Sequence, residues 1–199
     1  MKNLMFDLGG VIMEIERQRA VDALTAIGLD DANEMLGEYG QHGIFLDLEL
    51  GKVSAEEWRE ELRRHIKGEV SDEAIDRAFE AFLIGIPVER LRELEALRSE
   101  YKLYMLSNTN KVMWEGKIRR EFEKDGHDMG YYFDGIIPSF EVHCYKPDAK
   151  IFEEAKEQFG IKPEETIFFD DSAANVEAAR KLGFGGVHVV DKRPFKDYL

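Results

Sequence analysis

Short apolar runs ending in polar or glycine positions recur along the chain. The first, Leu4-Met5-Phe6, leads into Asp7-Leu8-Gly9-Gly10. Such a run, closed by an acid and two glycines, reads as a buried parallel strand with a tight turn at its carboxyl end. Similar runs lie at 103–106, 136–137, 166–169 and 187–190. Helical patterns separate them: 88–100, with Leu91, Leu94 and Leu97 on one face, then a stretch after Asn110, then 149–159 and 173–182. Strands alternating with helices predict an α/β fold built on a doubly wound, Rossmann-like parallel sheet.

Residues 15–82 break this alternation. Their patterns are helical, at 20–27, 32–39, 55–66 and 72–82, and no strand is evident among them. Ser54 followed by Glu57, and Ser71 followed by Glu73, mark helix starts. A helical block inserted after the first strand reads as a cap over the carboxyl ends of the sheet. Gly85-Ile86-Pro87 marks the return to the core. The expected division is therefore a catalytic core of 1–14 and 86–199 and a helical cap of 15–85, with 192–199 as a surface tail.

Composition narrows the function. A net charge of −14 over 199 residues disfavours nucleic acid and anionic membrane surfaces as partners. No apolar stretch approaches the ~20 residues a bilayer-spanning helix needs. Cys144 is the single cysteine, which excludes an internal disulfide and fits a reducing, cytoplasmic compartment. Oligomeric state leaves no signature in the sequence.

Ligands of open α/β sheets bind outside the carboxyl ends of the strands. Those ends carry Asp7, then Ser107-Asn108-Thr109-Asn110, then the approach to Lys146-Pro147, then Asp170-Asp171. Carboxylates, a hydroxyl, an amide and one cation suit phosphoryl transfer on a small phosphorylated metabolite. Carboxylate oxygens can hold Mg²⁺, and one carboxylate can attack phosphorus. Asp170-Asp171 would repel each other if both were ionised without a cation, so a metal is the economical account.

Phe6-Asp7-Leu8-Gly9-Gly10-Val11, Leu106-Ser107-Asn108, Tyr145-Lys146-Pro147 and Phe169-Asp170-Asp171 resemble, in order and spacing, the four motifs of the haloacid-dehalogenase-like superfamily. The chain is most similar to its small phosphatases related to the N-terminal domain of epoxide hydrolases, some of which act on sugar phosphates such as glucose 1-phosphate. The resemblance implies Asp7 as nucleophile and metal ligand, with the Gly9 carbonyl and Asp171 as further ligands and Asp170 a ligand directly or through water. It implies that Ser107 and the amide of Asn108 grip the phosphoryl oxygens, that Lys146 balances charge around Asp7, and that Asn175 orients the acidic pair. It also exposes a departure. Many relatives carry a second aspartate two residues after the nucleophile, as general acid and base, where this chain has Gly9.

The remaining candidates are weaker. His42, His65, His127, His143 and His188 lack ligand spacing, and Trp58 and Trp114 read as packing residues. His42, which precedes Phe45-Leu46-Asp47-Leu48-Glu49-Leu50-Gly51, a segment that resembles the substrate-facing cap region of the family, or Glu49 within that segment, could serve specificity. Two rival functions stay open at this level: a metal-free 2-haloacid dehalogenase, which also lacks the second aspartate, and a non-catalytic protein that binds a phosphorylated ligand.

Overall fold

The computed structural model describes residues 1–37 and 41–199. Asn3–Phe6 (β1) is buried at every position. Its alternate side chains serve opposite faces, as strand geometry requires: Leu4 and Phe6 join one apolar cluster and Met5 the other. Next come the short strands Glu14–Ile15 (β2) and Leu83–Gly85 (β3), then Lys102–Ser107 (β4), Gly135–Pro138 (β5), Thr166–Asp170 (β6) and Gly185–His188 (β7). The order β5-β4-β1-β6-β7 forms one five-stranded sheet, and every pairing in it is parallel. This is the expected α/β class. Buried Asn3 and Thr166 satisfy each other across β1 and β6 at 3.0 Å.

Five helices lie between β2 and β3: Arg17–Ala26 (α1), Ala32–Met35 (α2), Gly43–Glu49 (α3), Ala55–His65 (α4) and Asp72–Glu80 (α5). The helical pattern at 32–39 thus yields one short helix, and Glu38 and Tyr39 lie outside the described residues. The Ser54 start is a full capping box, with Glu57 N–H donating to Ser54 Oγ at 3.1 Å and Ser54 N–H to Glu57 Oε2 at 2.8 Å. Such caps contribute about 1 kcal/mol. The helices close on an aromatic knot of Phe45, Trp58 and Phe79, whose ring centroids stand 5.0–5.7 Å apart. Trp58 is wholly buried there, and Trp114 is buried too, so both are packing residues.

The core continues through Val88–Leu97 (α6), the kinked helical run 111–123, Ser139–Val142 (α7), Ala149–Phe159 (α8) and Ala173–Lys181 (α9). Ile151, Phe152 and Ala155 of α8 and Ala179 of α9 cover one face of the sheet with Met5, Leu106 and Phe168. Leu91, Leu94 and Leu97 of α6 cover the other, in a cluster that runs on into the cap. Both faces are therefore wound.

Three expectations change. The antiparallel ribbon β2–β3 borders a stretch read as purely helical. The last strand lies two residues before its apolar run, at Gly185–His188. The tail is not a surface tail, because Phe195 is fully buried, 4.8 Å from Phe6 and 5.7 Å from Phe169, with the Arg90 guanidinium 4.3 Å from its ring centroid. Among the described residues no helix is long and apolar enough to cross a membrane.

Candidate active site

Parallel strands bring their carboxyl ends to one edge, so four segments distant in sequence converge there. Asp7 follows β1, and its N–H donates to the Phe169 carbonyl at 2.8 Å. Lys146, only 2% exposed, donates to Asp7 Oδ1 at 2.6 Å and to Asp170 Oδ2 at 2.7 Å. Two reciprocal bonds fix its backbone: Asn108 Nδ2 donates to Lys146 O at 2.9 Å, and Lys146 N–H donates to Asn108 Oδ1 at 2.8 Å. The Asn108 side chain is thus spent on positioning, while its N–H has no protein acceptor among the described residues. Ser107, at the end of β4, lines the same cavity. Asn110 caps the next helix by accepting from Met113 N–H at 3.0 Å.

The acidic pair divides sharply. Asp170 is fully buried and fully bonded. Its Oδ1 accepts from Ser172 N–H at 2.8 Å and Asn175 Nδ2 at 3.1 Å, and its Oδ2 accepts from Lys146 and again from Asn175. Asp171 is exposed, and among the described residues no hydrogen bond or ion pair occupies its carboxylate. Asn175 therefore orients Asp170 and not its neighbour.

Charge is crowded here. Burial raises the Asp7 carboxyl well above the usual range; Lys146 opposes this, and Asp170 and Asp171 add to it. Asp171, although its surface is exposed, has protein packed around part of its carboxyl, and that partial desolvation together with Asp170 raises it. Burial works against the Lys146 ammonium, but Asp170 and Asp7 outweigh it and raise its pKa. Oxygens of Asp7, Asp170 and Asp171 all lie within 4.8 Å of one another. Three carboxylates around one lysine leave an excess of negative charge, and hard oxygen donors with an uncommitted Asp171 are what Mg²⁺ takes. The residues fit that ion.

The turn after β1 sets the spacing. Gly10 has φ +75°, and a Cβ there would stand 2.1 Å from Asp171 Oδ2. Gly9 lies outside the left-handed region, and its Cβ would meet only Ile15, at 3.4 Å. Gly10→Ala is therefore expected to cost about 1–2 kcal/mol in strain and to push Asp171 aside, weakening Mg²⁺. Gly9→Ala should fold as the parent does. Thermal melts and Mg²⁺ titrations of the two variants check this, and equal behaviour would contradict it.

A cavity of about 160 Å³ opens over this edge. The core lines it with Asp7, Gly9, Ser107, Asn108, Lys146 and Asp171, and the other wall carries Ile15, Gln41, Glu49, Phe79, Phe82 and Leu83. His42 is exposed and does not line it. Cys144 is buried, and burial raises its thiol pKa, which makes it inert. Ser139 is the addition the structure makes. Wholly buried after β5, its Oγ accepts from Thr109 N–H at 3.0 Å and lies within donating reach of Glu49 O at 2.8 Å and Thr109 O at 2.9 Å. It ties the end of α3 to the loop after β4, and its position directly after a strand is the sequence signal for it.

The chain is 36% identical over 183 residues, 92% of its own length and 89% of the other's, to a D-ribitol-5-phosphate phosphatase of Bacteroides thetaiotaomicron. A crystal structure of a HAD family enzyme from the same organism, in complex with magnesium and inorganic phosphate, superposes with a TM-score of 0.93 at 34% identity, covering 100% of this chain and 99% of that one. A predicted HAD-like family hydrolase from Porphyromonas gingivalis gives 0.86 at 38% identity, covering 94% and 90%. Residues 1–183 match the model of the haloacid dehalogenase-like hydrolases, and the chain belongs to that family.

Proposed function

We propose that this protein is a cytoplasmic, magnesium-dependent phosphatase that hydrolyses a small phosphate monoester of a sugar or sugar alcohol through an aspartyl-phosphate on Asp7. The observation that carries the reading is Asp7 held by Lys146 beside an uncommitted Asp171, at the floor of the cavity over the sheet edge. Similarity to a D-ribitol-5-phosphate phosphatase and to a magnesium- and phosphate-bound structure supports the reaction class and the ion.

Asp7, Asp171 and the Gly9 carbonyl would hold Mg²⁺, with Asp170 beside them. Bound there, the ion supplies positive charge against the phosphoryl oxygens and the crowded carboxylates. Lys146 holds Asp7 Oδ1, which leaves Oδ2 without a hydrogen bond among the described residues. An Asp7 oxygen attacks phosphorus, the bond from phosphorus to the ester oxygen breaks, and that oxygen takes a proton from water. Ser107 Oγ and the Asn108 N–H hold the phosphoryl oxygens meanwhile. Water then adds to phosphorus, the bond to Asp7 breaks, and inorganic phosphate leaves with the carboxylate restored. Gly9 provides no side chain to protonate the leaving oxygen, help typically worth ~10²–10⁴-fold.

A screen of phosphate release over sugar, sugar-alcohol and aryl phosphates tests the reading. Turnover should require Mg²⁺, stop in EDTA and return on adding Mg²⁺. Halide release from a 2-haloacid in EDTA, with no phosphate release in Mg²⁺, would overturn it. That outcome would also leave the Asp171 charge without a purpose, since a metal-free dehalogenase gains nothing from it.

A further inference from the structure

Among the described residues, the wall facing the phosphoryl site contains one acid that the reaction does not use. Glu49, the last residue of α3, lines the cavity with Phe79, Phe82 and Leu83. Its carboxyl has no hydrogen bond or ion pair among the described residues, although its surroundings are largely apolar. Glu49 is also firmly placed. Its carbonyl is reached by Ser139 Oγ at 2.8 Å, and the next carbonyl, of Leu50, lies 2.8 Å from His143 Nδ1. Gly51, at φ +60°, lets the chain approach so closely that a Cβ there would stand 2.2 Å from Phe140 O. The end of α3 is thus pinned to the core, and through Ser139 to the Thr109 loop that follows Ser107 and Asn108.

A half-buried carboxyl with no protein partner among the described residues costs free energy unless something satisfies it, and the cavity it lines is the direction from which a partner can come. We propose that Glu49 is the specificity-determining residue of this phosphatase, a neutral carboxylic acid that exchanges hydrogen bonds with a hydroxyl on the carbon skeleton of the substrate. This rests on the phosphatase reading above and adds the residue that reads the hydroxyls of that ester and would discriminate against an amine. Burial alone lifts the Glu49 pKa, to about 8, so at neutral pH the acid both donates and accepts, as an alcohol does. From its place on the cavity wall the carboxyl can read the carbon skeleton of the ester.

The test is a kinetic split with the intact enzyme and Mg²⁺, using ribitol 5-phosphate, glucose 6-phosphate, phosphoethanolamine and p-nitrophenyl phosphate. Glu49→Leu should lower kcat/KM for the hydroxylated esters about 10- to 100-fold, mainly through KM, as expected for an unpaired alcohol in a dry site. p-Nitrophenyl phosphate, which has no hydroxyl, should lose less than about threefold. Glu49→Gln, which still donates and accepts, should keep the hydroxylated esters within about fivefold. An equal fall in kcat for every ester would put Glu49 at the chemistry and overturn the proposal. So would a wild-type preference for phosphoethanolamine lost in both variants, which would mean an ionised acid pairing with an ammonium, and so would no change at all. Absence of any phosphate release by the wild type would remove the phosphatase reading itself, and this proposal with it.

Discussion

Asp7→Asn should abolish turnover of every phosphate ester, by about 10⁴-fold or more on the precedent of other covalent nucleophiles, while the protein stays folded. An amide oxygen occupies the same space and can still accept from Lys146, but it is too weak a nucleophile to attack phosphorus. The variant should nevertheless bind inorganic phosphate with Mg²⁺, because Ser107, the Asn108 N–H and Lys146 are untouched and one negative charge facing the phosphate has gone. Calorimetry of phosphate binding therefore separates a lost nucleophile from a lost site. Hydride reduction of wild-type enzyme caught in turnover should modify Asp7, read by mass spectrometry, and should modify nothing in the variant. Substantial residual turnover in Asp7→Asn would mean that water attacks phosphorus directly and that no aspartyl-phosphate forms.

Asp7 was legible in the sequence because a parallel strand buried on both faces leaves a continuous apolar run, and its end is where a ligand must sit. The same holds for Ser107, Lys146 and Asp170, which topology alone brings to one edge. The division of labour between Asp170 and Asp171 was not legible. Successive side chains leave a strand in opposite directions, and only the structure tells which one turns inward to Lys146 and Asn175. Nor could the sequence separate His42 from Glu49. His42, before the segment 45–51, is exposed and does not line the cavity, whereas Glu49, inside it, does. The missed strands β2 and β3 have two and three residues, too few to show a period. Phe195 shares the polar tail only with Tyr198 and Leu199, too few apolar positions to show a period.

The Gly9 departure looks different beside its relatives. A glycine there favours esters whose leaving oxygen needs little help, such as an anomeric sugar phosphate. Ribitol 5-phosphate, the ester for which a similar protein is named, is a primary alkyl phosphate that needs more. The structure removes one obstacle to resolving this, because Gly9 is free of left-handed strain and a Cβ there makes only ordinary contact with Ile15.

Lys146→Met should cost the fold about 3–5 kcal/mol at neutral pH, the usual loss when one partner of a buried ion pair is removed, and should abolish activity as well. Methionine fills the volume of the lysine stem, so the loss isolates the charge. In the parent the ammonium lies 2.6 Å from Asp7 and 2.7 Å from Asp170, and without it two buried carboxylates face Asp171 uncompensated. The sign with pH follows from proton linkage. The folded pKa of Lys146 is raised above its unfolded value near 10.5, so its stabilisation is fully present below that value and is lost as pH rises through the folded pKa. Asp7 is also raised, so in the variant the penalty grows as pH climbs above the unfolded carboxylate pKa of about 4 and its ionisation is forced. The gap between parent and variant should therefore be smallest near pH 4, where the Asp7 carboxyl can take up a proton, and wide at pH 7. Mg²⁺ should narrow it at pH 7 by replacing part of the missing charge. Urea melts at both pH values, with and without Mg²⁺, read this directly. A gap indifferent to pH and to Mg²⁺ would mean that Lys146 supports the fold through its stem, and that the charge balance around Asp7 is not what holds this edge of the sheet together.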